Sequence, residues 1–319
     1  MKLKKIIKNS SFGMFLLLIL VIVVFGSFNH GFFKIVNLVQ YVNNGVVLGF
    51  LTLGLSATVI SGNYDYSVAS MTGFGTVIHA LLLRVGVPLV PALLLGLLAL
   101  LAFGAFNGFL VGYLRVPGML ATLGSSSLIY GIALVLTKGQ AIGANSDVYK
   151  VFGKSDIGTL PFGIVLLAVM FALSLVLFNR SRIGRNWYLV GTSREAARFT
   201  GIDPRFSVLL AHLYSALMCF FGALILGSRM ASGRADIAES YGLQSITAAV
   251  FGCVSMKGGS GSIVGVLMGV LIFTLLTSGV TMIDLSQFYK QVATGVLLIL
   301  VLILRNYRTI FSISEGKRK

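Results

Sequence analysis

The stretch "PLVPALLLGLLALLAFGAFNGFLVGY", residues 88–113, contains 26 residues and no charged side chain. The hydrocarbon core of a bilayer is roughly 30 Å thick, and a helix of about 20 apolar residues crosses it. The rest of the chain continues this pattern, because 56% of its 319 residues are hydrophobic and only 11% are charged. Soluble proteins carry roughly 25% charged residues. The composition therefore excludes a soluble globule and predicts an all-α integral membrane protein.

Ten apolar segments are candidate transmembrane helices of a single transmembrane domain, residues 1–319. The first follows a lysine-rich N-terminus as a signal peptide would, but no small-residue cleavage site ends it, so we predict a retained helix. The fourth segment is long and the eighth is short. The ten segments are residues 12–28, 44–61, 66–85, 88–113, 117–137, 160–178, 206–228, 243–256, 260–283 and 287–304.

The distribution of Lys and Arg predicts the orientation, since these residues accumulate in cytoplasmic loops. With the N-terminus in the cytoplasm, seventeen of the 25 Lys and Arg residues fall on the cytoplasmic side and eight on the other. The largest internal cluster, six arginines, lies at 179–205, between the sixth and seventh segments. We therefore predict that both termini and this loop are cytoplasmic.

Several function classes are excluded by what the sequence contains. The net charge of +16 resides at the ends of apolar runs rather than on one face with base-reading side chains, which argues against nucleic acid as a partner. Cys219 and Cys253 lie in apolar runs, and no C-x-x-C motif occurs. The three histidines do not pair with one another or with acids at metal-ligand spacing. We predict no metal site and no cofactor.

The arginine-rich loop contains "GTSREAARFTGI", residues 191–202, which is too short and too charged to cross a membrane. Thr192 and Glu195 have the spacing of a capping box, and Gly201 stands where a left-handed C-cap belongs. The segment therefore predicts a compact, capped, polar helix.

This short helix has two possible roles. Ala196 and Phe199 share one of its faces. A helix lying on the membrane surface would favour bulky apolar residues and an excess of Lys and Arg, whereas this one carries Glu195 and a small face that includes Ala196 and Ala197. The composition favours docking into a groove of another protein over the membrane surface.

Two other segments carry polar or glycine-rich features. Asp65 lies at a membrane boundary, where it could compensate a helix N-terminus or act in a permeation path or gate. Residues 258–261 read Gly-Gly-Ser-Gly, as at the nucleophile of intramembrane serine proteases, but every histidine lies upstream of them. No nucleotide-binding P-loop motif occurs. Glycines at 261, 265 and 269 instead predict a tightly packed helix.

Four segments together resemble the permease subunits of ribose-type sugar importers of the ATP-binding-cassette (ABC) class, which depend on a binding protein. "FGAFNGFLVGYLRVPGMLATLGS" (103–125) is similar to that family's N-G, [IV]-P, A-T-L-G pattern. "YDYSVAS" (64–70) stands where the family has D-L-S-V-G-S, and "FGCVSMKGGSGSIVG" (251–265) where it has a glycine-rich pattern. "GTSREAARFTGI" resembles the cytoplasmic coupling segment. The matches occur in order along most of the chain.

The resemblance implies a ten-helix permease of type II, vitamin-B12-importer-like architecture, in a prokaryotic cell membrane. Its partners would be two ATPase subunits, an extracytoplasmic solute-binding protein and a second permease copy or related permease. The permease itself would not be an enzyme. Residues 179–205 would form the coupling loop, with Thr192, Arg194, Glu195, Ala196, Ala197, Phe199 and Gly201 contacting or shaping the contact with the ATPase. Residues of the translocation path or gate would be Asp65, Asn107, Thr122 and Gln244.

Five positions depart from the family pattern and leave the solute open. These are Tyr66, Ala69, Gly242, Gln244 and Cys253. A monosaccharide such as ribose is the expected solute; nucleosides, sugar-derived signals and branched-chain amino acids are alternatives. A self-contained secondary transporter would require acidic ion ligands at mid-membrane, and most of the nine acids lie in loops or at segment ends. An intramembrane protease would require a suitably placed histidine.

Overall fold

A computed structural model describes residues 34–144 and 146–282, together with isolated positions between 19 and 27 and between 289 and 299. The described chain is predominantly helical, with four two-residue strands between helices. The elements are α1 (Ile35–Asn44), α2 (Val46–Ile60), α3 (Val68–Arg84), α4 (Leu89–Gly112), α5 (Gly118–Thr137), β1 (Ile142–Gly143), α6 (Asp147–Lys154), β2 (Asp156–Ile157), β3 (Leu160–Pro161), α7 (Phe162–Arg180), α8 (Arg182–Thr192), α9 (Arg194–Phe199), α10 (Pro204–Met230), β4 (Ser232–Gly233), α11 (Tyr241–Phe251) and α12 (Ile263–Met282).

Within these described residues, five helices are long and apolar enough to cross a membrane: α4, α5, α7, α10 and α12. A sixth span results if α1 and α2, which meet at a 42° bend, are counted together. Eight of the ten predicted segments overlap described helices, although the third, 66–85, corresponds to the shorter apolar helix α3 and not to one of the five long ones. The first and last, 12–28 and 287–304, lie largely outside the described residues, so the count of ten stays a prediction.

The eighth predicted segment, 243–256, is wrong as a full span. Only Tyr241–Phe251 is helical, and its 11 residues extend about 17 Å, roughly half of the hydrocarbon thickness. The residues before this helix do not form an external loop. Instead they descend along α3: Gly233 lies against Thr76, the Ala235 carbonyl lies against Gly73, and Gly242 lies against Ala69. The chain thus re-enters the bundle before α11 begins.

The core is built around α10, a 27-residue helix that packs against α2, α3, α4 and α6. Every residue of α2 is buried, as expected for a helix that is apolar on all sides. Glycines at 104, 108 and 112 bring α4 so close to α10 that a Cβ at Gly104 would lie 2.6 Å from the Ala216 side chain. Small residues at four-residue spacing are a usual device for such close packing in membranes.

Hydrogen bonds between loops show which connections share an end of the bundle. The Tyr64 hydroxyl donates to the Met256 carbonyl at 2.8 Å, and the Tyr188 hydroxyl donates to the Gly261 carbonyl at 3.0 Å. The turn after α2, helix α8 and the loop before α12 therefore meet at one end, which we call the coupling end. This grouping agrees with the predicted alternation of the spans.

The opposite end, called the far end, is held by contacts among other loops. Strand β1 pairs with β4 in antiparallel register. The Arg229 guanidinium donates to the Asn43 side chain, and the Ser228 hydroxyl donates to the Tyr149 carbonyl, both at 2.5 Å. Burial raises the pKa of the Tyr149 phenol. Helix α6 is thereby fixed against the end of α10.

Candidate functional site: a coupling segment and a polar groove

The segment predicted to couple to an ATPase contains two helices, α8 and α9, rather than one. The predicted cap at Thr192 is wrong: Thr192 ends α8 and its hydroxyl donates to the Tyr188 carbonyl. Ser193 caps α9 instead, accepting a hydrogen bond from the Ala196 amide at 3.2 Å. A serine hydroxyl performs this task as well as threonine, so a shift of one residue preserves the cap.

The end of α9 has the predicted left-handed glycine. Gly201 has φ +80°. Its amide donates to the Arg198 carbonyl at 2.9 Å, and the Ile202 amide donates to the Ala197 carbonyl at 3.1 Å, which together form a Schellman motif. The six-residue helix is therefore fixed at both ends.

The two alanines of α9 lie in different environments. Ala197 is buried and belongs to an apolar cluster with Val111, Val190 and Val208, so it faces the bundle and does not lie on the free face of α9. Ala196 is exposed, and Phe199 is 92% exposed. The free face of α9 thus presents Phe199 beside a small residue, flanked by charged side chains.

The base of the coupling segment is anchored by aromatic packing. Trp187 on α8 is 1% exposed, and its indole N–H donates to the Ser207 carbonyl at 3.0 Å. Its ring lies 5.0 Å from that of Phe178 and 5.6 Å from that of Tyr214. These contacts fix α8 to α7 and α10.

Backbone contacts connect the coupling segment to the turn after α2. Gly191 lies so close to the Ile60 carbonyl that a Cβ would overlap it, and the same Cβ would lie 2.6 Å from the Gly259 amide. The Gly259 amide itself donates to the Ile60 carbonyl at 2.8 Å. Three separate segments therefore meet at Gly191, where only glycine fits.

A side-chain hydrogen bond extends this connection. The Arg194 guanidinium donates to the side-chain Oδ1 of Asn63 at 2.8 Å. Burial lowers the pKa of Arg194, and the nearby charges of Arg115 and Arg198 lower it further. The bond to the buried Asn63 compensates part of that desolvation cost and links α9 to the turn that leads into Asp65.

Asp65 accepts a compact set of hydrogen bonds inside the bundle. Its carboxylate is 1% exposed and accepts from the Ser67 hydroxyl at 2.5 Å, the Ser67 amide at 3.0 Å and the Ser215 hydroxyl at 2.7 Å. Asn107 donates to the Ser67 hydroxyl at 2.8 Å, and Thr122 accepts from the Tyr66 amide at 3.0 Å. These bonds connect the turn before α3 to α4, α5 and α10.

A polar groove runs along α5 and passes in front of this network. Its far half, a cavity of about 220 Å³, includes Gln140 and the ion pair of Arg234 and Asp236. Its near half, a cavity of about 190 Å³, lies closer to the coupling end. The two halves share Tyr130 and Ala235. The near half is lined by Tyr66, Ala69, Ser70, Ser126, Ser127, Tyr130, Ala235, Glu239 and Gly242.

None of the four predicted path residues lines this groove. Asp65, Asn107 and Thr122 are fully buried, and Gln244 is half-buried on α11. The first three lie behind the groove wall, where Thr122 fixes the backbone of Tyr66. A role for these four at a gate stays a prediction.

Sequence reasoning did not single out the serines, Tyr130 and Glu239 of the near half as site residues. They are ordinary residue types without a motif. A usable signal was the departure from the family pattern, because three of the five departing positions, Tyr66, Ala69 and Gly242, come together in the near half. Among the described residues, no cluster of His, Cys, Asp and Glu could hold a metal ion.

Comparison with known proteins gives consistent matches over most of the chain. The family described as branched-chain amino acid transport system permease component matches residues 37–302. The ribose import permease protein RbsC of Bacillus subtilis is 30% identical over 296 residues, which cover 92% of this chain and 91% of that protein. The autoinducer 2 import system permease protein LsrD of Klebsiella pneumoniae is 30% identical over 312 residues, covering 96% and 93%.

A third relative is the L-arabinose transport system permease protein AraH of Escherichia coli, which is 28% identical over 260 residues, covering 82% of this chain and 79% of that protein. No solved structure matches the chain significantly.

Proposed function

Because the chain belongs to the branched-chain amino acid transport system permease family, we propose that it is the membrane-spanning subunit of an ABC importer in a bacterial inner membrane, and that it carries a monosaccharide. Relatives of similar length are import permeases for ribose and L-arabinose. The observation that carries the proposal is the pair of adjoining cavities along α5, whose lining residues include serines and tyrosines. Such side chains can exchange hydrogen bonds with sugar hydroxyls.

The energy for transport comes, in this proposal, from ATPase subunits that dock on α8 and α9. The sequence has no P-loop. The exposed Phe199 and the capped, anchored α9 form a rigid knob of the kind that fits a protein groove. Residues 179–205 would act as the coupling loop. Its contacts with Ile60 and Asn63 would carry ATPase movement toward the groove.

The assembly would contain a second permease copy or a related permease, with the solute-binding protein at the far end. Gly124 and Gly131 on α5 face open space, since a Cβ at either would meet nothing within 4 Å. A second copy seated near α5 would enclose the groove. The type II architecture with ten helices and both termini in the cytoplasm completes the proposal, supported by the charge asymmetry of the loops.

Cysteine labelling tests this orientation. In a variant lacking Cys219 and Cys253, Asp147→Cys at the far end should react with an impermeant thiol reagent added to intact cells, because Asp147 is 95% exposed. Arg198→Cys should react only after the membrane is opened. The reverse pattern would contradict both the orientation and the coupling role.

The family description favours a second solute class, branched-chain amino acids. Uptake by proteoliposomes containing the permease, its ATPase and its binding protein separates the two. D-ribose or L-arabinose should accumulate in an ATP-dependent manner, whereas L-leucine should not. Accumulation of L-leucine without either sugar would replace the sugar proposal with the amino-acid one.

A further inference from the structure

Deepening the proposed sugar import, on which this inference rests, we infer that the near half of the polar groove is a solute-binding station. In it the paired hydroxyls of Ser70 and Ser126 and the carboxylate of Glu239 bind the hydroxyl groups of a neutral, polyhydroxylated solute.

The first component is the serine pair. Ser70 on α3 and Ser126 on α5 face each other with their hydroxyl oxygens 2.6 Å apart. A hydroxyl has one donor hydrogen and two acceptor lone pairs. One mutual hydrogen bond leaves the pair with one donor and three acceptor positions, and both side chains line the groove. The pair can therefore donate to and accept from a solute at the same time.

The second component is Glu239. The segment that descends along α3 brings it into the near half, since Gly242 packs against Ala69, next to Ser70. Within the described part of the chain, no hydrogen bond or ion pair engages the Glu239 carboxylate. An ionised carboxylate only accepts hydrogen bonds, and adjacent sugar hydroxyls can supply two of them.

The charges of the groove select against ionic solutes. In the far half, Arg234 donates twice to Asp236, at 2.9 and 2.5 Å, so these two charges neutralise each other. The near half contains no basic side chain among its lining residues. An anion would be repelled by Glu239, and a zwitterionic amino acid would find no cationic partner for its carboxylate among the lining residues. A neutral polyol meets neither penalty.

The size and the remaining walls fit the same class. The near half, about 190 Å³, is smaller than the roughly 300–1,000 Å³ pockets that hold drug-sized ligands. Tyr66 and Tyr130 supply rings that can cover the C–H face of a sugar. The station suits a single monosaccharide.

The test measures sugar uptake and ATP hydrolysis on the same reconstituted importer, with its ATPase and binding protein. The probe is D-ribose, or L-arabinose if ribose is not accumulated. Ser126→Ala, Ser70→Ala and Glu239→Gln should each lower the uptake rate at limiting sugar roughly two- to tenfold, the loss expected for one net hydrogen bond. ATP hydrolysis stimulated by the binding protein should change less than twofold.

The matched control is Ser125→Ala, one residue away on α5. Ser125 is buried and donates to the Thr122 carbonyl of its own helix, outside the groove. The Ser125→Ala variant should leave the amount of sugar taken up per ATP hydrolysed unchanged. Parallel falls in uptake and ATP hydrolysis in the groove variants would indicate a structural role and overturn the inference.

A labelling measurement supplies a second readout. In the variant lacking Cys219 and Cys253, reaction of Ser127→Cys at the groove rim should slow when sugar-loaded binding protein and ATP are added, whereas Asp147→Cys should react at the same rate. The binding station alone would be overturned if the wild type takes up sugar, the groove variants take it up at the same rate, and sugar does not slow the labelling of Ser127→Cys. Absence of ATP-dependent uptake of either sugar by the wild type would contradict the proposed function as well.

Discussion

Replacing Phe199 with alanine tests the coupling segment with little risk to the fold. The Phe199 side chain is 92% exposed, so its removal takes almost no contact from the permease itself. Buried in a groove of the ATPase, a phenylalanine contributes about 1.5–3 kcal/mol. Since about 1.4 kcal/mol corresponds to a tenfold change in affinity, Phe199→Ala should weaken ATPase binding roughly ten- to hundredfold.

The assay is a titration of the detergent-solubilised permease with purified ATPase subunits, read as Kd, alongside uptake in proteoliposomes. The matched control is Phe109→Ala. Phe109 is 48% exposed on α4 and lies outside the apolar cluster that joins Val111 to Ala197, so its removal should leave Kd unchanged. A normal Kd for Phe199→Ala, with normal expression, would refute the docking role. Equal losses in both variants would point to a general effect on the fold.

The remaining predictions concern the same end of the molecule. Ala197→Glu would bury a carboxylate in an apolar cluster and should abolish stable expression. Ala196→Glu should leave expression normal but reduce co-purification of the ATPase. Equal expression of the two variants would contradict the faces assigned to α9. Gly191→Ala should lower the yield of folded protein, because its Cβ overlaps backbone atoms and overpacking costs about 1–3 kcal/mol, whereas Gly201→Asn should be tolerated in a left-handed position with open space. Asp65→Ala would leave three hydrogen-bond donors without their acceptor. Each unsatisfied buried donor costs about 1–3 kcal/mol of stability, so the Tm in detergent should fall. An unchanged Tm would contradict the structural role of the carboxylate.

The membrane-spanning helices were predictable because bilayer thickness sets the length of an apolar run. The runs behind α4, α5, α7, α10 and α12 all became long helices. The short α11 was not recognised as a half-span. The sequence stays apolar beyond Phe251, where the helix ends, and the turn that ends it cannot be read from an apolar composition. The helix ends at Phe251 because the chain turns at Gly252, which packs against Gly265, and at Cys253, which has φ +57°; it begins inside the bundle because Gly233 and Ala235 fit against α3.

The C-terminal glycine of the coupling helix was predictable, whereas its N-cap was placed one residue too early and its orientation was not predicted. The capping-box spacing to Glu195 pointed to Thr192, but a serine caps a helix as well as a threonine does, and the structure uses Ser193. Two adjacent alanines give a six-residue helix no strong apolar face, and only the cluster around Val111 and Val208 decides that Ala197 is the buried one. The shared exposure of Ala196 and Phe199 did follow from helical spacing.

The groove was the least predictable part, since hydroxyl residues in membrane helices commonly donate to their own backbone. Ser125 and Ser126 are adjacent and chemically identical, yet the first bonds within its helix and the second reaches Ser70 on another. That difference depends on how α3 and α5 approach each other. Glu239 likewise enters the groove only because the chain re-enters the bundle.

The most direct test of the central claim is the energy source for solute accumulation. Proteoliposomes containing this chain with its ATPase and binding protein should accumulate D-ribose or L-arabinose against a gradient when ATP is supplied, and the chain alone should neither hydrolyse ATP nor accumulate sugar. Accumulation by the chain alone, driven by a proton or sodium gradient, would contradict the account and identify a secondary transporter.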